Sequence, residues 1–410
     1  MKQVKLCIAL CLSILILAGC ADKIEVEEEG FVLVIGVDLP EDGGTGYDIT
    51  FQMADPQAGN PGSQPDSSEF KTIMIRVPDL IAARDMLNIS ETRNINFYHT
   101  KALIISEELA RSDKFLEVLS TIVRDTQSRR DMNLLVSKER ANKFLNHNHP
   151  AFEASPHKFY DFVTRRWENN SLVPRATLHT IIHDTEADAG LALAIYATTE
   201  EDVNLKTNED NYYPGELLKK GGTPVQIIGA AAFRDGKMVG ALTGEAVRAR
   251  AMLTEHLQPK EVTFTFPDPL NEEFRVTGKL TNTKTKVKVD VSKPAPDITV
   301  DVWLSVKILG IPSMINYVED SQKQEVLDDS LEKRFKERAD ELVEKTQTEL
   351  KAEAFNWSLA ARKKFFTVKE YEEYDWMHSY PDAKVTINVH TTIESFGKIL
   401  RPRSKEAIID

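Results

Sequence analysis

The chain has 410 residues, of which 41% are hydrophobic and 28% are charged, and its formal net charge at pH 7 is -13. This composition excludes an intrinsically disordered chain and a protein with many membrane spans. The negative charge disfavours nucleic acid and anionic lipid headgroups as partners. We therefore expect no nucleic-acid partner and no membrane attachment through a polybasic patch.

Residues 1–19 have the pattern of a signal peptide. Lys2 and Lys5 precede an apolar run over residues 6–17. That run is shorter than the roughly twenty residues needed to span a bilayer, and its length is typical of the apolar region of a signal peptide. The sequence therefore predicts export from the cytoplasm.

The apolar run leads into Leu17-Ala18-Gly19-Cys20, which is similar to the lipobox of bacterial lipoproteins. We predict that Cys20 carries a diacylglycerol and that residues 20–30 form a lipidated spacer. Two acyl chains are enough for stable anchoring. An ordinary secretory signal, with Cys20 incidental, is the alternative.

The three cysteines are Cys7, Cys11 and Cys20. Two of them fall inside the predicted signal peptide, so a processed chain would keep Cys20 alone, with its thiol blocked by lipid. This excludes a structural disulfide, a cysteine-based metal site and a cysteine nucleophile in the mature chain.

Residues 31–190 alternate between the strand and helix patterns. Continuous or alternating apolar residues predict strands, and apolar stripes at helical spacing predict helices. The predicted strands cover 31–37, 47–51, 70–77, 102–105 and 132–136, and the predicted helices cover 79–87, 115–123 and 138–145. Residues 55–68 read as a loop rich in glycine and proline, and residues 155–185 read as mostly helical. Such alternation indicates a mixed α/β domain.

A second unit follows over residues 191–265. Residues 200–222 are polar and read as an exposed insertion. Strands at 225–233 and 238–242 are joined by a tight turn at 234–237, a hairpin signal, and a helix is predicted from 244 to 256.

The third unit, residues 266–410, combines strands with one long amphipathic helix. Lysine and valine alternate over 284–291, and further strands are predicted at 298–308 and 385–391. The helix carries an apolar stripe and a possible capping box from Ser321 and Gln324. The stripe consists of Leu327, Leu331, Phe335, Ala339, Leu342, Thr346 and Leu350. We expect it to pack on the neighbouring sheet, with dimerisation as the alternative. The predicted fold class is thus α+β, or mixed α/β, with three consecutive domains of mixed sheets and packed helices.

Residues 94–110 and the segment after the lipobox resemble the Ger(x)C family, the lipoprotein C-subunits of spore nutrient germinant receptors. The closest match is Asn94 to Ala110, with the pattern aromatic-x-His-x-Lys-x-Leu-Ile-Ile-x-Glu-Glu-Leu-Ala. The opening from Gly30 to Asp38 and the hairpin from Ala230 to Leu242 also resemble the family. Ala21 departs from it, since many members carry tryptophan there.

The resemblance implies three α/β domains and a non-enzymatic subunit on the outer face of the spore inner membrane. It implies assembly with two integral membrane subunits and a response to nutrients that triggers germination. A solute-binding lipoprotein of a membrane importer is the alternative, and an envelope hydrolase is a second one.

Five histidines are candidates for metal ligands or for a pH-dependent switch. His147 and His149 lie two residues apart and read as a solvated loop, while the helical pair His179 and His183 lacks the glutamate of the zincin pattern. His99 could titrate near neutral pH but reads as a structural strand residue. Residues 219–223 lack the spacing of a phosphate-binding loop and read as a turn. We therefore expect no catalytic residue, no metal and no cofactor.

Overall fold

The computed structural model describes residues 28–54, 70–151, 158–160, 170–187, 190–206 and 210–397, together with the isolated residues 3 and 25. The rest of the predicted signal peptide, Cys20 and the loop at 55–68 lie outside the described residues. In the described ranges no helix combines the length and the hydropathy that crossing a membrane requires.

The first part of the chain alternates strands and helices, as the sequence predicts. The elements are β1 (Glu29–Asp38), β2 (Tyr47–Ala54), β3 (Phe70–Val77), α1 (Leu80–Ser90), β4 (Asn94–Asn96), β5 (Ala102–Ser106), α2 (Glu107–Ala110), α3 (Lys114–Arg124), β6 (Asn133–Ser137), α4 (Ala141–His147), α5 (Leu178–Glu186), β7 (Ala192–Thr198), β8 (Gln226–Arg234), β9 (Lys237–Leu242) and α6 (Gly244–Leu253).

These strands form a nine-stranded sheet in the order β3-β2-β1-β5-β6-β7-β8-β9, with β4 paired to β1. The central strands β1, β5, β6 and β7 are parallel, whereas β2, β3, β8 and β9 are antiparallel to their neighbours. Every residue of β5 and β7 is buried. Burial on both faces explains why these strands read as continuous apolar runs.

The second part contains a four-stranded sheet and the long helix. Its elements are β10 (Val262–Asp268), β11 (Asn271–Asp290), β12 (Asp297–Gly310), α7 (Ser321–Thr348), α8 (Ser358–Arg362), α9 (Val368–Tyr374), α10 (Trp376–Ser379) and β13 (Lys384–Ser395). The strand order is β10-β11-β12-β13, and β13 runs parallel to β12. The two mixed sheets with packed helices confirm the predicted α+β class.

The apolar stripe of α7 is buried along its whole length within this second core, so it packs inside the chain as expected. The predicted capping box is wrong. Asp320 is the N-cap, and its side chain accepts hydrogen bonds from the backbone N–H groups of Gln322 and Lys323. The Gln324 side chain instead donates to the carbonyl of Val318.

The hairpin between β8 and β9 has the predicted tight turn. Asp235 and Gly236 both adopt positive φ, at 53° and 75°, as the two central residues of a type I′ turn require. Helix α6 ends at Leu253, three residues before the predicted end. The helical pattern over 155–185 corresponds to α5, and much of the remaining segment lies outside the described residues.

The segment predicted as a middle domain contributes to both sheets. Strands β7, β8 and β9 continue the first sheet, and β10 begins the second. Leu191, Leu193 and Ala232 pack into the core of the second sheet. The division at residues 190 and 265 stays a prediction.

Candidate functional site

The carboxyl ends of the parallel strands are the candidate ligand site, because open α/β sheets bind their ligands there. Strands β1, β5, β6 and β7 end at this edge with Asp38, Ser106, Ser137 and Thr198. All four residues are buried. Polar side chains buried at this position need hydrogen-bond partners, and those partners show whether space is left for a ligand.

The carboxylate of Asp38 binds the N-terminus of helix α4. This carboxylate accepts hydrogen bonds from the backbone N–H of Ala141 at 2.7 Å and of Asn142 at 3.0 Å. Burial raises the pKa of Asp38, while these two bonds and the charge of Arg140 act against that rise. A carboxylate is stabilised at a helix N-terminus by free N–H groups and the helix dipole. Asp38 therefore fixes α4 across the end of the sheet.

Glu139 fills the neighbouring position. One carboxylate oxygen accepts from the hydroxyl of Thr198 at 2.6 Å, and the other accepts from the backbone N–H and the hydroxyl of Thr199, both at 2.7 Å. The hydroxyl of Ser137 donates to the carbonyl of Glu139 at 2.6 Å. The edge that binds ligands in other open α/β sheets is thus filled by the chain's own polar groups.

Two arginines hold the β1–β2 loop over this edge. Arg140 contacts the carboxylate of Asp48 at 2.9 Å and that of Glu41 at 3.2 Å. Arg76 binds Asp48 and Asp42, each at 2.6 Å. The hydrogen bond from Arg76 is the main cause that lowers the pKa of Asp48. Each arginine is thus paired with two carboxylates of its own chain, and neither is left free to bind an anionic ligand.

A cleft of about 390 Å³ lies beside this network, bordered by Tyr47, Arg76, Lys114 and Glu117. The Tyr47 hydroxyl donates to the Glu117 carboxylate at 2.8 Å. The Lys114 ammonium lies 5.9 Å from the Tyr47 ring centre. The polar groups of the cleft therefore contact each other.

The stretch from Phe97 to Ala110 is mainly a packing element. Phe97 is buried, and the hydroxyl of Thr100 donates to the carbonyl of Val32 at 3.1 Å. The Glu107 carboxylate accepts from the hydroxyl of Tyr196 and from Arg111. The stretch thus ties β5 to β1 and β7.

His99 does not lie in a strand, so the expected strand position is wrong. It is an exposed residue in the turn between β4 and β5. Its ring packs edge-on against Phe31, with 4.7 Å between the ring centroids. The turn forms because β4 pairs with the start of β1, and the chain must then re-enter the sheet beside the middle of β1.

The other histidines that the structure describes are exposed. His147 and His149 are both exposed, as expected, and His149 stacks near Phe70. The expected loop is wrong in two respects, because His147 ends helix α4 and Asn148 is fully buried. His179 and His183 are exposed on α5. In the described part of the chain, no group of three or more His, Cys, Asp or Glu side chains could hold a metal ion.

Residues 219–223 form the expected turn. The Lys219 ammonium donates to the carbonyls of Thr223 and Val225. Gly221 and Gly222 adopt positive φ. Lys219 therefore holds its own turn closed and is not presented to a phosphate.

Sequence reasoning missed the roles of Asp38 and Glu139. A carboxylate directly after a buried strand was the available signal for Asp38. Nothing local indicated its partner, because helix α4 lies more than a hundred positions further along the chain.

Two family models of spore germination proteins match the chain. One, described as "Spore germination protein N-terminal domain", matches residues 22–198. The other, "Spore germination B3/ GerAC like, C-terminal", matches residues 228–397. The crystal structure of the GerBC protein has a similar fold, with a TM-score of 0.54 at 16% identity over 88% of this chain and 96% of that one.

The chain is thus a two-sheet α+β protein, and the two family models place it in the spore germination class. The chain belongs to the GerAC-like family of spore germination proteins.

Curated relatives come from Bacillus subtilis (strain 168). The chain is 20% identical to the putative spore germination protein YfkR over 98% of both chains. It is 23% identical to spore germination protein B3, over 81% of this chain and 78% of that one. The match to spore germination protein KC is 27% identical but covers 33% of this chain and 34% of that protein. The chain thus spans a third of protein KC and nearly all of YfkR.

Proposed function

We propose that the protein is a non-enzymatic, lipid-anchored subunit of a germinant receptor on the outer face of the spore inner membrane. In this proposal it assembles with two integral membrane subunits, and the complex triggers germination in response to nutrients. The observation that carries the proposal is the match to spore germination proteins over almost the whole chain.

The polar groups at the carboxyl ends of the parallel strands support a role in binding partner proteins over a role in catalysis. A general acid or base needs a side chain that reaches a substrate. Asp38 and Glu139 instead hold backbone and threonine groups of their own chain. Neither carboxylate is therefore free to act on a substrate at this end of the sheet.

The receptor role is tested by deleting the gene and restoring it in spores. Deletion should abolish germination in response to one set of nutrients and leave non-nutrient germination intact. Purification of the tagged protein from spore membranes should bring down two integral membrane proteins. A deletion strain that responds normally to every nutrient, with no paralogue present, would contradict the proposal.

The anchor is tested with Cys20→Ala in the full chain. The variant should stay unprocessed or be released from membranes, because the thiol that accepts the diacylglycerol is gone. Ala21→Ser, which changes the next residue and keeps the thiol, is the matched control and should fractionate like the wild type. Full membrane retention of a cleaved Cys20→Ala protein through high salt and mild alkali would refute lipidation.

A further inference from the structure

The second sheet has one face covered by α7 and an opposite face open to solvent. Along β11 the exposed positions of that open face include Lys284, Lys286 and Lys288, and the residues between these lysines are buried or only partly exposed. The strand pairing places Lys284 beside Trp303 of β12, and Trp303 beside His390 of β13. Three lysines and a tryptophan therefore share one surface, which we call the lysine–tryptophan face.

The acidic groups on this open face already have partners. Asp301, opposite Lys286, accepts from the side-chain amide of Asn388 at 2.8 Å. Asp297 contacts Lys293 at 2.9 Å, and Glu394 accepts from Thr281 and lies 3.8 Å from Lys307. Asp290, at the end of β11, accepts from the backbone of Ser292. Within the residues that the structure describes, Lys284, Lys286 and Lys288 form no salt bridge.

Trp303 distinguishes this surface from an ordinary charged strand. Lysines on an exposed strand are a common defence against edge-to-edge aggregation, and that role does not require a large aromatic ring. The Trp303 ring is 39% exposed, with the Lys284 ammonium 5.7 Å from its centre and the His390 ring stacked at 5.7 Å. Tryptophan prefers the boundary between water and lipid acyl chains.

We propose that the lysine–tryptophan face docks on the anionic phospholipid surface of the membrane. The lysine ammonium groups would contact lipid phosphates, and the Trp303 ring would enter the headgroup region. Charge complementarity supports this occupant, because three lysines without a salt bridge in the described part of the chain lie side by side on this face although the chain carries a net charge of -13. A lipid is favoured over an acidic protein because the surface is an open sheet face and because the proposed function places the chain at a membrane.

The net charge of the whole chain predicts repulsion from anionic lipids. The lysine–tryptophan face is a local exception that the tertiary structure creates. Electrostatic attraction to a bilayer acts within about a Debye length, roughly 8 Å at physiological salt. Only charges on the face that meets the bilayer contribute strongly. Alternation along β11 places the three lysines on one face, and the strand pairing places Trp303 beside Lys284.

The test uses the full lipidated chain reconstituted in two kinds of vesicle, phosphatidylcholine alone and phosphatidylcholine mixed with phosphatidylglycerol. Brominated acyl chains quench a tryptophan that reaches the bilayer. Subtracting the signal of Trp303→Phe isolates Trp303 from the other three tryptophans. We expect strong quenching of Trp303 in the anionic vesicles and weak quenching in the neutral ones.

Neutralising the three lysines with Lys284→Gln, Lys286→Gln and Lys288→Gln should lower the ratio of docked to undocked protein. Each lysine near an anionic surface contributes roughly fivefold, so the triple variant should lose on the order of a hundredfold. A control with the same charge change uses exposed lysines in or directly after the helices α7, α8 and α9, and it should keep the wild-type quenching. It combines Lys333→Gln, Lys363→Gln and Lys369→Gln. Equal melting temperatures would show that both variants fold.

Three results would overturn the proposal. Trp303 quenching could be equal in the two lipid mixtures, or unchanged in the triple variant. The same lysines could instead bind an acidic protein segment without any lipid quenching. Failure of the proposed anchor gives a different result, since the chain would then not associate with phosphatidylcholine vesicles at all.

Discussion

Glu353 is a buried carboxyl group at the junction of the two sheets, and it should make the stability of the protein depend on pH. It is 1% exposed. Its carboxylate accepts from the backbone N–H groups of Trp357 and Ser358, both at 2.7 Å, and its own carbonyl accepts from Leu191 at the start of β7. Burial raises the pKa of Glu353 from 4.5 to about 7, against the opposing effect of these hydrogen bonds.

The sign of the effect follows from which state holds the proton. Below pH 4.5, the unperturbed value, Glu353 is protonated in both the folded and the unfolded chain, so its contribution to stability is fully present. As the pH rises, the unfolded chain loses this proton first, and the free energy of unfolding falls. The loss is complete above about pH 7 and totals roughly 3 kcal/mol, at about 1.4 kcal/mol per pH unit.

The assay is urea unfolding of the wild type and of Glu353→Gln at a series of pH values. The glutamine does not titrate, so the free energy of unfolding of the wild type minus that of the variant should fall by about 3 kcal/mol from acid to alkaline pH. The exposed Glu372→Gln is the matched control, and its difference from the wild type should stay nearly constant. Parallel stability curves for the wild type and Glu353→Gln would refute the reasoning.

Further predictions concern the carboxyl ends of the parallel strands, a glycine within β8 and the surface histidines. Asp38→Ala leaves two N–H groups of α4 without their acceptor and should cost about 2–3 kcal/mol in urea unfolding; a loss below about 0.5 kcal/mol would contradict the capping role. Gly229 has φ +80°, and an added Cβ would lie 2.2 Å from a backbone oxygen of β9. Gly229→Ala should therefore lower thermal stability by about 1–3 kcal/mol, clearly more than Gly221→Ala, where the added Cβ meets open space. Elemental analysis of the purified protein should find no stoichiometric metal, and stoichiometric zinc that is lost on changing His147 and His149 to alanine would overturn this expectation.

The sequence by itself determined the type of most elements and the family. Periodicity identified the long helix α7 by its apolar stripe, and every member of that stripe is buried. Asp235 and Gly236 are residue types that favour a two-residue hairpin turn, and they identified the β8–β9 hairpin. These features are local, because the spacing of apolar residues fixes the face that an element buries, and φ preferences fix a tight turn.

Only the tertiary structure decided which distant residues meet. Asp38 caps a helix that begins at Ala141, and Glu353 at the junction binds the start of β7 through its backbone. The lysines of β11 were visible in the sequence as an alternating pattern, but their position beside Trp303 depends on the strand order β11-β12-β13. Strand order and register arise from the packing of whole layers. The alternation of residues along one strand gives the face on which a side chain lies and does not identify its neighbour.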